Sequence, residues 1–301
     1  VEIENYHVPV LLDETMELLL PNISSADSKI IVDGTLGGGG YTNKILELTD
    51  HNVKVLAIDR DINAIEHSNE RLSGFKGRVI YCNGNFGRLK EEAEEYLDFM
   101  RDVKISGIVL DLGLSTYQLN YEEGFSYQRD TELDMRADKG IAGGIKAKDV
   151  LNTYSEKELL KLFKDYGELK YSRQITRDII EHRQHTKFEM TSDLVELLKI
   201  KIPLRFVNKD LSKVFQALRI EVNDELDNLR NALGESAELM EKGGRIVVVS
   251  YHSLEDRIVK NFFRSGKSLK VITKKPITAS KKEIAENARA RSAKLRAAEK
   301  I

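Results

Sequence analysis

The sequence predicts an α/β protein: a mostly parallel sheet with crossover helices, interrupted by an inserted, mostly helical domain. Three observations predict it. Four short β-branched runs alternate with helical stretches through residue 111. A fifth such run arrives only after a gap of more than 130 residues. The gap itself reads first as loop and then as helix. Regular strand–helix alternation requires parallel strands joined by crossovers, and such a sheet is buried on both faces.

The strands are expected at Lys29–Asp33, Val53–Asp59, Arg78–Cys82 and Ile105–Asp111, each ending in turn chemistry. Tyr41–Leu48 and Asp61–Leu72 carry the helical spacing between them. From Gly113 to about Gly144 the chain is rich in Gly, Asp, Arg and aromatic residues and reads as an ordered loop. Ser155-Glu156-Lys157-Glu158 is a capping box that opens an amphipathic helix. Lys170–His185 and Ser192–Ile200 follow with helical spacing, and Pro203 stops the latter. Leu211–Glu241 reads as one long helical segment leading to the fifth strand, Arg245–Ser250. The expected division is therefore 1–114 with 211–301 for the sheet domain, and 115–210 for the insertion.

Composition narrows the class. At 301 residues, 41% hydrophobic and 32% charged, the chain has material for about two packed domains and is neither disordered nor collagen-like. It has no apolar run of the roughly 18 residues that a membrane helix needs. The first residues, Val1-Glu2-Ile3-Glu4-Asn5, do not read as a secretory leader. Cys82 is the only cysteine, which excludes an internal disulfide and a thiolate metal site and suits a reducing cytoplasm. His182 and His185 lack companion ligands, so no metal site is expected. The net charge of −2 hides an asymmetry. Residues 264–301 hold twelve Lys and Arg against three acids, +9, and leave −11 on the rest. A basic tail on an acidic body fits a polyanionic partner and equally fits a solvated terminal helix.

The chemistry gathers where strands end. Asp33-Gly34-Thr35-Leu36-Gly37-Gly38-Gly39-Gly40 joins the first strand to the first helix. Its glycines, Gly37, Gly39 and Gly40 among them, allow a tight turn and close approach of a ligand to backbone. Asp59 ends the second strand 19 residues after Gly40, where an acid accepts hydrogen bonds from both hydroxyls of an adenosine ribose. Asp33 beside the loop disfavours a pyrophosphate and suits the cationic amino-acid end of S-adenosylmethionine. That cofactor therefore stands ahead of NAD, and no Walker Gly-Lys-Ser/Thr follows. Asn83-Gly84-Asn85-Phe86 offers polar and aromatic groups to an adenine, although Phe86 also suits a plain core position.

Asp111-Leu112-Gly113-Leu114-Ser115 ends the fourth strand, at the edge where doubly wound sheets bind ligands. An acid there suits an exocyclic amine acceptor, whose lone pair is delocalised into its ring. Hydrogen bonds from its N–H groups to a carboxylate localise that pair toward a methyl donor. His252, in Ser250-Tyr251-His252-Ser253-Leu254-Glu255-Asp256, either lines such an acceptor pocket or caps a helix. The absence of a Gly-x-Ser-x-Gly elbow excludes a hydrolase triad.

Taken together these motifs resemble the RsmH (MraW) family of bacterial small-subunit ribosomal RNA methyltransferases. The likeness runs over nearly the whole length. It starts at His7-Val8-Pro9-Val10-Leu11-Leu12 and Asp33-Gly34-Thr35, and passes through Asp59-Arg60-Asp61, Leu110-Asp111-Leu112-Gly113, Gly124-Phe125-Ser126 and Leu133-Asp134-Met135-Arg136. It continues in Phe215-Gln216-Ala217-Leu218-Arg219-Ile220, His252-Ser253-Leu254-Glu255-Asp256-Arg257 and Ala290-Arg291-Ser292-Ala293-Lys294-Leu295-Arg296. Four positions depart from the family pattern: Tyr41 replaces a His after the glycines, Glu123 replaces an Arg before Gly124, Tyr117 stands where Pro is common, and Ala288 replaces a Pro near the end.

The resemblance implies a Rossmann-like, S-adenosylmethionine-dependent methyltransferase sheet carrying an inserted helical domain. It implies methyl transfer to the N4 amine of a decoding-site cytidine in 16S ribosomal RNA, within the small ribosomal subunit. It places cofactor contacts at Gly39, Gly40, Tyr41, Asp59, Phe86, Asp111 and Gln118. On this reading Asp111 orients the amine with His252 nearby, and Arg136, Arg219 and the basic tail hold RNA phosphates. Arg136 and Arg219 fit equally well as structural partners of Asp134 or Glu221. A DNA cytosine-N4 methyltransferase, and a ribosome-assembly factor that keeps the cofactor fold without turnover, are the alternatives. The oligomeric state stays open between monomer and homodimer.

Overall fold

The computed structural model describes residues 9–21, 23, 28–97, 104–113, 122–137, 144–201 and 207–301. The chain divides into two compact units, residues 1–115 with 226–301, and residues 116–225. The return to the first unit falls at 226 rather than near 211, because the helix Val207–Val222 belongs to the inserted unit.

In the first unit seven strands form one sheet in the order β3-β2-β1-β4-β5-β7-β6. They are β1 (Lys29–Asp33), β2 (Val53–Asp59), β3 (Val79–Asn83), β4 (Lys104–Asp111), β5 (Met240–Ser250), β6 (Leu269–Val271) and β7 (Lys294–Lys300). The first five run parallel, and β7 lies antiparallel between β5 and β6. Side chains alternate between faces with the period of a strand. Ile31, Val55, Ala57, Val109, Val247 and Val249 join one core with α1 (Leu12–Leu19), α2 (Gly40–Leu48) and α3 (Ile62–Arg71). Ile30, Val32, Leu56, Ile58, Ile108, Leu110 and Val248 join the other. That face is covered by α4 (Leu89–Leu97) and by two later helices described below. Hydrophobic runs without alternation are what burial on both faces demands.

The carboxyl end of the helical insertion differs from the expected single segment. Two helices, α9 (Val207–Val222) and α10 (Glu225–Leu239), replace it. The break is at Asn223-Asp224, where Asp224 has φ of 49°, a left-handed conformation that Asp tolerates better than most residues. Within the inserted unit the Asn223 side chain donates to the carbonyls of Met135 and Arg219 and accepts from the Ala137 N–H. α10 then returns with Leu229, Ala232 and Leu233 in the sheet's second core, next to Val259 and Phe263 of α11 (Ser253–Ser265).

The basic carboxyl-terminal segment is not a free tail. α12 (Lys281–Glu286) leads through a short 3-10 turn at Ala288–Ser292 into β7. Leu295, Ala297 and Ala298 of β7 are fully buried. Arg296 is also buried and pairs with Asp256 at 2.6 Å, while Lys294 lies 3.5 Å from the same carboxylate. The exposed positive charge of the region lies on Arg264, Lys267, Lys270, Lys274, Lys275, Lys281, Lys282 and Arg291, with Arg289 half-buried.

The inserted unit holds α5 (Ala147–Thr153), α6 (Glu156–Asp165), α7 (Ser172–Arg183), α8 (Thr191–Lys201) and α9. Its interior includes Leu151, Leu159, Phe163, Ile175, Ile179, Phe188, Leu194, Leu198, Val214 and Leu218. The capping box opens α6 as expected: Ser155 accepts from the Glu158 N–H, and Glu158 accepts from the Ser155 N–H at 2.7 Å. Between residues 122 and 137 the chain is irregular and is held by side-chain bonds such as Thr131 Oγ1 accepting from the Gly124 N–H. No helix among the described residues is long and apolar enough to cross a membrane.

Candidate active site

Three carboxylates stand at the carboxyl ends of β1, β2 and β4, all in the first unit. Parallel pairing of β1 with both neighbours sets Asp33 level with Ala57 and Val109, so that Asp59 and Asp111 project two residues beyond it. Asp33 senses the other two electrostatically, because Asp111 and Asp59 each raise its pKa.

Asp33 is fully buried. One of its oxygens accepts from the Thr35 N–H at 3.2 Å and the other from the Thr42 hydroxyl at 2.7 Å. Burial dominates nonetheless and pushes its pKa up to about 6. Asp59 is half-buried; burial again leads, raising it to about 6 against the lowering effect of hydrogen bonds from backbone N–H groups. No cationic side chain offsets either charge among the described residues. Uncompensated buried carboxylates are costly unless a partner arrives.

The glycine loop is fastened to this acidic edge. The Gly37 N–H donates to Oδ2 of Asp59 at 2.7 Å, while Oδ1 takes the Asp61 N–H at 2.9 Å. From α3, the Ser68 hydroxyl donates to the Gly37 carbonyl and Arg71 donates to that of Gly38, both at 2.8 Å. Gly37 and Gly39 have φ of 49° and 72°, where side chains are strained. A Cβ at Gly40 would press to 2.9 Å on the Pro9 ring. The Asn43 N–H is bonded to the Gly39 carbonyl at 2.8 Å. The amides of Gly40, Tyr41 and Thr42 therefore belong to the open first turn of α2.

Tyr41 is expected at the cofactor through its place after the glycines. Its ring is buried and its hydroxyl donates to the Val10 carbonyl, which leaves the backbone N–H as the group it can offer a ligand. Phe86 opens a 3-10 turn and packs half-buried against the second core. Asn85 and Gly84 before it are seated on Glu92, a buried carboxylate that accepts from the Asn85 N–H at 3.0 Å and from the Cys82 thiol at 3.2 Å. Burial and Glu92 push the Cys82 thiol up to about 12, so it stays protonated. Gln118 lies outside the described residues.

Asp111 is nearly buried. Its N–H donates to Thr35 Oγ1 at 2.7 Å, and its Oδ1 accepts from the Tyr251 hydroxyl at 2.8 Å. Sequence reasoning missed Tyr251, which lies 140 residues away in the chain. Only the adjacency of the β4 and β5 ends, Asp111 opposite Val249, brings the two together. His252, expected beside the acceptor, is the N-cap of α11: its Nδ1 accepts from the Glu255 N–H, and its Nε2 lies 3.1 Å from Glu255 Oε1.

The two arginines expected at RNA phosphates are committed elsewhere in the inserted unit. Arg136 makes a two-pronged pair with Asp134 at 2.7 and 2.9 Å. Arg219 makes one with Glu225 at 2.7 and 3.0 Å. Glu221, weighed as a partner of Arg219, instead accepts from the Tyr154 hydroxyl. These ion pairs are of the kind the structural alternative expects.

As a set, the first unit offers anionic groups, open helix amides and a backbone loop. It suits a ligand with a cationic end and vicinal hydroxyls, and it repels a pyrophosphate. Comparison with known proteins bears on which ligand that is. The family described as the MraW methylase family matches residues 4–301. A ribosomal RNA small subunit methyltransferase H of Carboxydothermus hydrogenoformans is 44% identical, over 98% of both chains. Proteins of the same description from Kosmotoga olearia (43% identical; 98% of this chain, 97% of that one) and Clostridium botulinum (42%; 98% and 99%) are similarly alike. Overlap with a solved rRNA methylase from Streptococcus thermophilus is loose, with a TM-score of 0.43 at 12% identity over 96% of this chain and 93% of that one.

Proposed function

The chain belongs to the MraW methylase family, a family of S-adenosylmethionine-dependent methyltransferases, and we propose that its acceptor is the N4 amine of a decoding-site cytidine in small-subunit (16S) ribosomal RNA. The observation that carries the reading is the grouping of Asp33, Asp59 and Asp111 around an anchored glycine loop. The relatives' description as small-subunit ribosomal RNA methyltransferases supports the substrate. We place the reaction in the cytoplasm, on RNA within the small subunit.

S-adenosylmethionine, when bound, would supply an electrophilic methyl group on a sulfonium that leaves as a thioether, with the amine proton released to solvent. The residues of the chain bind and orient. Asp59 holds the Gly37 amide and has acceptor capacity left for ribose hydroxyls, since an ionised carboxylate offers about four lone-pair sites. Asp33 answers positive charge at the amino-acid end. The open amides of Gly40 and Tyr41 face the amino-acid carboxylate, as helix amino termini do for anions. Phe86 and the Asn83–Asn85 turn flank the adenine.

Asp111 accepts from the amine N–H, drawing the nitrogen lone pair out of the ring and toward the methyl carbon. The target base has to leave its stack to reach a nucleoside cofactor held at strand ends. Arg136, Arg219 and His252 are not needed for this scheme. The phosphate contacts fall to the exposed Lys274, Lys275, Lys281, Lys282 and Arg291.

Asp111→Asn tests the orienting role. At saturating S-adenosylmethionine the variant should transfer methyl groups at least about tenfold more slowly, the loss of one hydrogen bond to a charged acceptor. Parental turnover with normal binding would refute it.

A further inference from the structure

The carboxylate assigned to the acceptor amine has a neighbour whose placement is hard to account for by packing alone. Tyr251 sits between the end of β5 and the cap of α11, with its backbone pinned by its N–H donating to Glu255 Oε2 at 2.8 Å. Its ring lies against the backbone of Gly113, where an added Cβ would come within 3.3 Å of ring carbon Cδ2. Gly113 has φ of 102°, so the turn after Asp111 is shaped to admit the ring. On the ring is the Arg289 guanidinium, 5.9 Å from the centroid, within reach of a cation–π contact. With the ring held on these sides, the hydroxyl reaches Oδ1 of Asp111 at 2.8 Å.

We propose that Tyr251 is a positioning residue for methyl transfer: its phenol fixes the carboxylate of Asp111 in the rotamer that meets the acceptor amine. This rests on the amine-orienting role of Asp111 proposed above. The phenol takes one of the carboxylate's lone-pair sites and leaves capacity for an N–H donor. It remains a donor throughout the working pH range, because burial and the adjacent Asp111 charge hold its pKa well above that of a free tyrosine. The Asp111 N–H, donating to Thr35 Oγ1 at 2.7 Å, fixes the backbone beneath that carboxylate. A carboxylate turned out of that rotamer would lose alignment with the amine, and alignment is the chief catalytic contribution available in a site of this kind.

Tyr251→Phe keeps the ring between Gly113 and Arg289 and deletes only the donor, so the fold is preserved. Turnover should fall about 10- to 100-fold, the span expected for one charge-assisted hydrogen bond. The KM for RNA and the calorimetric Kd for S-adenosylhomocysteine should stay within about twofold, a split that a merely structural role would not give. A double-mutant cycle identifies the route of action. In an Asp111→Asn background, Tyr251→Phe should change turnover by less than about threefold, because the group it acts through is already altered. Equal losses in both backgrounds, or parental turnover of Tyr251→Phe beside a slow Asp111→Asn, would overturn the inference and leave the role of Asp111 standing. Parental turnover of Asp111→Asn itself would overturn both.

Discussion

Two tasks are proposed for Asp59, anchoring the glycine loop and holding the ribose, and its replacement by Asn tests them together. Each carboxylate oxygen accepts one backbone N–H, from Gly37 at 2.7 Å and from Asp61 at 2.9 Å. An asparagine has one acceptor oxygen and sets its NH₂ group against the other N–H. One bond to a charged acceptor is lost, about 1.5–3 kcal/mol, and the second weakens to a neutral one. Stability does not fall by that sum, because the substitution also removes a buried charge whose pKa stands at about 6. The two effects oppose each other in the apo protein, so its Tm should move by only a few degrees. They do not oppose in the complex. There the loop is loosened and the acceptor for the ribose hydroxyls is halved, so calorimetry should show S-adenosylhomocysteine binding weakened about 10- to 100-fold. A folded Asp59→Asn protein that binds within twofold of the parent would refute the assignment of this carboxylate to both loop and ribose.

The same carboxylates predict a pH dependence. Asp33 and Asp59 titrate near 6 when folded, against a model-peptide value near 4. Between about pH 4 and 6 the folded chain therefore holds more protons than the unfolded one, and their contribution to apo stability declines as pH rises through that window. Cofactor affinity should run the other way, falling about tenfold per pH unit below about 6 for each carboxylate that must be ionised; an affinity flat from pH 5 to 7.5 would contradict it. Deleting residues 279–301 should abolish cooperative unfolding rather than weaken RNA binding alone, since it removes β7 from between β5 and β6. Lys281→Gln with Lys282→Gln is the cleaner test of phosphate binding. It should reduce the slope of log K against log salt by about 0.7–0.9 for each lysine that neutralises a phosphate, and an unchanged slope would exclude both.

The parallel half of the fold was legible because its strands announce themselves. Lys29–Asp33 and Val53–Asp59 occupy the expected residues, β-branched runs closed by an acid and a turn. β7 was not legible. Lys-Leu-Arg-Ala-Ala-Glu-Lys has no β-branched residue, and its Ala and long polar side chains favour a helix. It is a strand because β5 and β6 offer it two hydrogen-bonding edges, a tertiary effect that overrides propensity. The break at Asp224 was hidden for a related reason: the partners of Asn223 include Met135 and Ala137, far upstream in sequence.

The candidate site divides the same way. Asp33, Asp59 and Asp111 could be read from strand ends, because position in a parallel sheet fixes what a terminal acid faces. Tyr251 and Arg71 could not, since each acts through an interaction made only when distant segments meet. For Arg136 and Arg219 charge pointed toward RNA, while their carboxylate partners Asp134 and Glu225 lie two and six residues along the chain. Short-range acids of this kind are a signal that an arginine is occupied.

The most direct test of the account is methyl transfer from labelled S-adenosylmethionine to small ribosomal subunits that lack the modification, followed by nucleoside analysis of their RNA. Label in N4-methylcytidine is the expected result. Label in any other nucleoside, or none despite measurable cofactor binding, would contradict it.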